Sequence, residues 1–117
     1  MQKRNKKRTF GRSRSQRAAL MRGLAISLIE HGKIKTTEAK AKELRPYIEA
    51  LITRGKSDSV ASRRLAASTL GEPEGAVVQK LFNEIGKKYV ERNGGYTRII
   101  KIGEVTHGRR DAFIELV

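Results

Sequence analysis

The side chains that could serve as acids, bases or metal ligands are two histidines and twelve acids, scattered along the chain. His31 falls at the end of a predicted helix and His107 in a predicted turn, and neither belongs to a cluster with metal-ligand spacing. The carboxylates occur mostly on helix faces that we predict to be exposed. An enzyme needs several such groups gathered in one site. We therefore expect no catalytic residue, no metal, no cofactor and no small-molecule substrate.

Glycines can also carry chemistry, because a glycine-rich loop can cradle a phosphate. Gly94 and Gly95 lack the GxxxxGK[ST] pattern, and they follow a predicted helix instead of leading from a strand into a helix. They more simply allow a tight reversal from helix to strand. The chain has no Cys, so thiolate metal sites and Cys nucleophiles are excluded as well.

The chemistry that remains is that of basic side chains. The 117 residues include 26 Lys and Arg against 12 Asp and Glu, which gives a formal net charge of +14. Such an excess repels itself in a compact chain and indicates a polyanionic partner, for which RNA, DNA and an anionic membrane all qualify on charge alone. The first 29 residues carry no acid, and we expect their basic residues to bind RNA; they are Lys3, Arg4, Lys6, Lys7, Arg8, Arg12, Arg14, Arg17 and Arg22.

The N-terminal segment differs in composition from the rest of the chain. Residues 1–13 contain one large apolar side chain after Met1, which is Phe10, and their like charges repel. We predict a basic RNA-binding arm over residues 1–13 and a single globular α/β domain over residues 14–117. Phe10 either stacks on an exposed base or anchors the arm to its own domain.

The chain shows no sign of a membrane or of export. No apolar run approaches the roughly 20 residues that span a bilayer. The basic N-terminus lacks the apolar stretch of a secretory signal. We expect a cytoplasmic protein without a membrane partner.

The periodicity of apolar residues predicts four helices. The first has Ser13 or Ser15 as its cap and Gly32 at its end, and the second has Thr37 as its cap. Pro46 either kinks the second helix or splits it, and continuous periodicity across it favours a kink. Ser57 or Asp58 opens the third helix. The predicted bounds are 14–31, 38–55, 59–69 and 74–92.

Short β-branched or alternating segments predict three strands, over 34–37, 96–102 and 112–117, with a basic turn at 103–110 between the last two. The last two strands should form an antiparallel hairpin. The predicted fold class is α+β with two layers and the order α-β-α-α-α-β-β, its helices packed on one face of a small mixed sheet. The residues expected to face the core include Val60, Leu65 and Ala66 in the third helix, Val77, Val78, Leu81, Phe82, Ile85 and Tyr89 in the fourth, and Ala112, Ile114 and Leu116 in the last strand.

Several segments resemble one known family in the same order and spacing. The segment NGGYTRI at 93–99 resembles the GGYTR segment of the bacterial large-subunit ribosomal protein seventeen family. The strand IKTT at 34–37 and the helix AKAKELR at 39–45 are similar to another part of that family. Residues 80–86 (KLFNEIG) and 114–117 (IELV) also match its pattern. The resemblance covers nearly the whole chain.

The resemblance implies a structural constituent of the large ribosomal subunit and not an enzyme. Its implied partners are large-subunit rRNA, near the peptide exit tunnel, and neighbouring large-subunit ribosomal proteins. It implies that the arm and the basic domain surface bind and stabilise this rRNA in the cytoplasmic ribosome. The RNA contacts that it implies by matching position are Arg4, Arg8, Arg12, Arg17, Arg63, Arg64, Tyr96, Thr97 and Arg98.

Two other functions fit part of the sequence. A free nucleic-acid binder fits the composition equally well, although no helix-turn-helix or aromatic RNA-binding sheet motif stands out. An enzyme acting on RNA requires an acid or metal centre that the sequence does not offer.

Overall fold

The structure, a computed structural model, describes residues 13–117. Of the predicted arm, residues 1–13, only Ser13 lies within the described residues. The predicted α+β class and element order are confirmed. The elements are α1 (Arg14–His31), β1 (Lys33–Thr37), α2 (Glu38–Gly55), α3 (Val60–Thr69), a fourth helix built from α4 (Gly75–Lys80), a π-helical turn (Leu81–Ile85) and α5 (Gly86–Lys88), and then β2 (Thr97–Thr106) and β3 (Arg109–Leu116).

Helix α1 begins with a complete capping box. The Ser13 hydroxyl accepts the Gln16 backbone N–H at 3.3 Å, and the Gln16 side chain accepts the Ser13 N–H at 3.1 Å. Of the two predicted caps, Ser13 is therefore the one used, and such a cap contributes about 1 kcal/mol. The helix ends at Gly32, whose φ of 77° lies in the left-handed region that favours glycine.

Helix α2 is continuous through Pro46, so the alternative in which Pro46 splits the helix is wrong. Thr37 caps it as predicted, since its hydroxyl accepts the Lys40 N–H at 3.3 Å. Its apolar face packs into the core and fixes α2 as the central helix of the helical layer. The buried residues of that face are Ala41, Leu44, Ile48, Leu51 and Ile52.

Helix α3 buries a different face from the one predicted. Val60 and Leu65 are 67% and 53% exposed, so their placement in the core was wrong, whereas Ala66 is buried as predicted. This short surface helix buries only a narrow strip. The strip consists of Ala66 and the C-terminal cap residue Leu70, which lie on the same side because they are four residues apart. The N-terminal cap of α3 is Ser59 and not Ser57 or Asp58, since the Ser59 hydroxyl accepts the backbone N–H of residue 62.

The fourth helix ends at Lys88, four residues before the predicted end. Its central turn is π-helical, and its last part passes very close to the end of α2. A Cβ atom placed on Gly86 would lie 2.1 Å from the Gly55 carbonyl oxygen, so only glycine permits this approach. The predicted core residues are all buried, namely Val77, Val78, Leu81, Phe82, Ile85 and Tyr89.

The three strands form one sheet in the order β1-β3-β2. Both pairings are antiparallel, so the prediction of a mixed sheet was wrong on this point. The predicted hairpin is present, but its strands are longer and the turn is confined to residues 107–108. Strand β2 contains two bulges, between Lys101 and Gly103 and between Glu104 and Thr106. They accommodate within the strand the glycine and polar residues that suggested a long turn.

The helices cover one face of the sheet. Ala112 and Ile114 of β3 are fully buried beneath them, and Leu116 packs against the same core, as the alternation of β3 predicts. Neighbouring residues Ile34 and Ile99 contribute to this face from β1 and β2. The molecule therefore has two layers, and the second face of the sheet is open among the described residues.

Candidate nucleic-acid interface

Helix α1 carries the predicted RNA-binding residues nearest to the arm. Arg14 is exposed at the first helical position. Arg17 is half-buried, with Nη2 3.8 Å from Oε2 of Glu43. Arg22 lies against Gly71, where a Cβ would come within 2.9 Å of its side chain. The remaining predicted residues of the arm lie outside the described residues, and they are Lys3, Arg4, Lys6, Lys7, Arg8 and Arg12.

Arg63 is tied into the fold by several contacts. Its Nε and Nη2 donate to the two carboxylate oxygens of Asp58 at 2.7 and 2.8 Å, and Nη2 also donates to Asn83 Oδ1 at 2.8 Å. Its guanidinium lies 5.2 Å from the centroid of the Phe82 ring. The hydrogen bond from Arg63 lowers the pKa of Asp58 and raises the pKa of Arg63 itself. Arg63 thus joins the start of α3 to the fourth helix.

Arg64, the next residue, is exposed and makes no hydrogen bond or ion pair within residues 13–117. The donors of its guanidinium are therefore not used within the described residues. The adjacent arginines have different positions in the fold, since Arg63 is held by its own chain and Arg64 points into solvent.

Tyr96 and Thr97 lie in the interior, with only 1% and 3% of their surfaces exposed. The two carboxylate oxygens of Glu49 on α2 accept the Thr97 hydroxyl at 2.7 Å and the Gly95 backbone N–H at 3.2 Å. Gly94 and Gly95 both have positive φ, which the tight reversal from helix to strand requires. The segment at residues 94–97 therefore joins α2 to the start of β2 through these hydrogen bonds, and we call it the clasp.

The hydroxyl of Tyr96 completes this clasp. It lies 3.2 Å from the Thr53 hydroxyl and accepts the Lys56 ammonium at 3.0 Å. Lys56 also donates to the Arg92 carbonyl at 2.6 Å. The hydrogen bond with Thr53, followed by that from Lys56, lowers the pKa of Tyr96 and outweighs the opposing effect of desolvation. Tyr96 and Thr97 thus position the residue that follows them.

That residue is Arg98, which is exposed near the start of β2 on the face of the sheet away from the helices. Its Nε donates to Glu115 Oε1 at 2.8 Å, and the Lys33 ammonium approaches the other oxygen of Glu115 at 4.0 Å. The register aligns these side chains, because both Lys33 and Arg98 pair with Glu115 across the sheet. One acid is therefore shared by two cations.

The same face holds residues that the sequence analysis did not single out. Phe113 of β3 is flanked by its register partners Lys35 of β1 and Ile100 of β2. We call the surface formed by Lys33, Lys35, Arg98, Ile100, Phe113 and Glu115 the open sheet face. The sequence does show that these residues share one side of their strands, because Lys33 and Lys35 flank Ile34, and Phe113 lies between the buried Ala112 and Ile114. The pairing of the strands, which the sequence does not show, brings the residues of different strands together.

The predicted site residues are spread over several elements. Arg14, Arg17 and Arg22 lie on α1, Arg63 and Arg64 on α3, and Arg98 on β2. No group of three His, Asp or Glu that could hold a metal ion occurs within the described part of the chain. In that same part, no helix is long and apolar enough to cross a membrane. The arrangement consists of basic side chains on an α+β scaffold, which suits contacts with phosphate.

A family comparison covers most of this scaffold. The family model described as Ribosomal protein L17 matches residues 20–117, from within α1 to the end of β3. The match includes the clasp around Tyr96 and all three strands. It leaves out the predicted arm and the start of α1. From this match, we conclude that the chain belongs to the ribosomal protein L17 family and is a structural component of the large ribosomal subunit.

Proposed function

We propose that this protein binds and stabilises large-subunit rRNA through a basic arm, residues 1–13, and through the basic surface of the domain formed by residues 14–117. The observation that carries the proposal is the distribution of charge. The first 29 residues contain nine basic residues and no acid, within a chain of net charge +14. Lys and Arg side chains bind phosphates and release their counterions, which provides most of the affinity of such contacts.

The start of α1 supports this proposal. Arg14 and Arg17 lie in its first turn, which contains no acid. The partial positive charge at a helix N-terminus favours acids there, so the exposed Arg14 costs a few tenths of a kcal/mol in the isolated chain. Arg17 is paired with Glu43 of α2. With a phosphate bound near this turn, an arginine here becomes stabilising, because it attracts the phosphate. The arm leads directly into this helix, so arm and helix can bind one stretch of RNA backbone.

The residues of the folded part contribute in different ways. Arg64 and Arg98 present their guanidinium groups to solvent and are the direct contacts that we propose there. Arg63 keeps some donor capacity beyond Asp58 and Asn83 and can add a phosphate contact. Tyr96 and Thr97 are buried, so we propose that they act indirectly by holding Arg98 in place. Neighbouring ribosomal proteins are the remaining proposed partners.

The proposal can be tested by replacing Arg4, Arg8 and Arg12 with Gln in the full chain. We expect affinity for large-subunit rRNA to fall roughly tenfold or more, because hydrogen bonds to charged groups are each worth about 1.5–3 kcal/mol before screening. The circular dichroism spectrum and the melting temperature should change little, because the proposal places the arm outside the folded domain. Incorporation into large subunits, measured on a sucrose gradient, should fall in parallel.

A control variant that loses the same charge elsewhere distinguishes the effect of the arm from the effect of total charge. Lys42, Lys87 and Arg92 are exposed and lie on other elements or in a loop. Replacing these three with Gln removes the same charge and should weaken binding much less. Equal losses in both variants would contradict a special role for the arm. A wild-type chain that remains at the top of the gradient or follows DNA would instead favour a free nucleic-acid binder.

A further inference from the structure

Phe113 occupies the centre of the open sheet face, the one face of the sheet that no described element covers. Its ring is partly buried, and its register partners are Lys35 on one side and Ile100 on the other. Ile100 is 40% exposed, and Ile102, farther along β2, is 42% exposed. A central aromatic ring with apolar neighbours offers a flat surface of the kind on which a planar group can stack.

The charges around the ring favour a polyanion. Lys33, Lys35 and Arg98 surround Phe113 on the neighbouring strands, with Glu115 among them. Asp111, two residues before Phe113 in β3, is buried, and its carboxylate accepts the Arg109 Nε at 3.0 Å. Glu115 is shared by Lys33 and Arg98. Lys35 is exposed and has no hydrogen-bond or ion-pair partner within residues 13–117. The face therefore combines an aromatic platform with an excess of cations that can reach phosphates on either side.

In the free protein, Lys33 covers the ring, with its ammonium 4.3 Å from the Phe113 centroid. This contact is easily exchanged. The Lys33 side chain is 49% exposed, and its ion pair with Glu115 is long, at 4.0 Å. A cation–π contact and an ion pair are both weak when they are exposed to solvent. A base could replace the ammonium on the ring, and the freed ammonium could move to the adjoining phosphate.

We propose that the open sheet face is a binding site for an unpaired nucleotide of RNA, whose base stacks on Phe113 while Lys33, Lys35 and Arg98 contact the flanking phosphates. This inference rests on the proposed function and adds to it a site and a class of ligand. Unpaired nucleotides expose the base faces that aromatic side chains stack on, whereas paired ones do not. The clasp of Tyr96 and Thr97 then sets the position of one of the three cations.

Charge decides against two other occupants. Residues 1–12 contain six basic residues and no acid, so the arm is repelled by a face that is itself cationic. The centres of protein interfaces are depleted in charged residues, whereas here three cations lie around one ring. A single-stranded segment of RNA satisfies both the ring and the charges.

The test uses the full chain and a single-stranded RNA hexamer of uridines with one central 2-aminopurine, whose fluorescence falls when it stacks. We expect the wild type to quench this fluorescence and Phe113→Leu to remove most of the quenching. The affinity should fall about fivefold or more, since stacking is worth about 1–3 kcal/mol per base. Phe113→Tyr keeps a ring and should retain both effects. Lys35→Gln should lower the salt slope by about 0.7, the value for one phosphate of a single strand.

Leu65→Ala changes an exposed apolar residue of α3, outside the proposed site, and serves as the control that should not alter the quenching. Phe10→Leu removes the aromatic ring of the arm and tests the competing position for the stacked base. Quenching that persists in Phe113→Leu but disappears in Phe10→Leu would overturn the proposal and place the base on the arm.

The remaining outcomes separate this inference from the proposed function. If the wild type joins large subunits and binds their rRNA but does not quench the hexamer, the sheet site is refuted and rRNA binding stands. If Phe113→Leu lowers incorporation into subunits without changing the quenching, the face meets a protein and the inference is wrong. If the wild type binds neither rRNA nor the hexamer, both proposals fail together.

Discussion

Neighbouring residues of one sequence motif can occupy different environments in the fold. Tyr96 and Thr97 stand out in the GGYTR segment, and the resemblance implies that they touch RNA. In the structure, both are buried and bound to Glu49, Thr53 or Lys56 on or just after α2. Arg98, immediately after them, is exposed. The recognisable motif thus consists of two positioning residues and one side chain that is accessible to a partner.

The clasp gives Tyr96 an altered titration that can be measured. Its hydrogen bond with Thr53, and then that with Lys56, lower its pKa below the usual 10.0. Burial raises the pKa of Tyr47 above 10.0. We therefore expect the absorbance at 295 nm to show a component below pH 10 that disappears in Tyr96→Phe. A component above pH 10 should disappear in Tyr47→Phe.

The two tyrosines should affect stability with opposite signs. For Tyr96 the unfolded chain holds the proton to higher pH, so its contribution to stability grows as the pH rises toward 10. For Tyr47 the unfolded chain releases the proton first, so its contribution is lost as the pH rises above 10. A Thr53→Val variant, which lacks the hydroxyl, should move the Tyr96 component to higher pH. No movement would show that the Thr53 hydrogen bond does not set this pKa.

At the scale of elements, helical periodicity predicted most helix positions well. The bounds of α1 and α2 agree with the predicted 14–31 and 38–55, because their caps and apolar faces are marked in the sequence. The pattern failed for α3, where Val60 and Leu65 are apolar but exposed. A helix that touches the core along a narrow strip leaves its other apolar residues in solvent. Which strip is buried depends on neighbouring helices, and local sequence does not encode that.

The crossing of α2 and the fourth helix depends on one glycine. A methyl group on Gly86 would collide with the Gly55 carbonyl at 2.1 Å, so Gly86→Ala must push the helices apart. We expect a loss of about 3 kcal/mol in the free energy of unfolding, at the upper end for overpacking. This corresponds to a fall of roughly 10–20 °C in the melting temperature of a domain of this size. Calorimetry or thermal circular dichroism measures it.

Gly23 provides a control in which the same substitution should raise the free energy of unfolding instead of lowering it. It is exposed within α1, and nothing lies within 4 Å of a Cβ placed there. Gly23→Ala should therefore stabilise the protein by about 0.5–1 kcal/mol, through the higher helix propensity of alanine. If both alanine variants melted at the same temperature, the close approach at Gly86 would not be the feature that limits packing.

At the scale of the whole molecule, the lopsided charge should give salt two opposite effects. A chain of net charge +14 repels itself, so added salt should raise the melting temperature of the free protein. The same salt should weaken rRNA binding, because releasing the condensed counterions into a more concentrated salt solution gains less entropy. With about six phosphates neutralised, the affinity should fall roughly a thousandfold between 50 and 200 mM salt. Melting curves and filter binding over one salt series measure both, and a flat binding curve would contradict phosphate contacts.

Collinear motifs were enough to predict the family from sequence, and the charge distribution indicated a polyanionic partner. The open sheet face was not predicted, because it exists only through register. Lys35, Ile100 and Phe113 come from three strands, and their side chains meet only when β3 pairs with both neighbours. The sequence shows each residue in its strand but not the alignment of the strands.

The strand order has a consequence for how this protein is made. The central strand β3 is the last of the three to be synthesised, and its partner β1 lies about 80 residues earlier. Until β3 has emerged, β1 and β2 have no strand between them, and α1 and α2 lack the surface that they cover. At about 5–20 residues per second, the nascent chain spends several seconds with these edges unpaired. Chaperone protection during this interval should therefore matter more for this protein than its small size suggests.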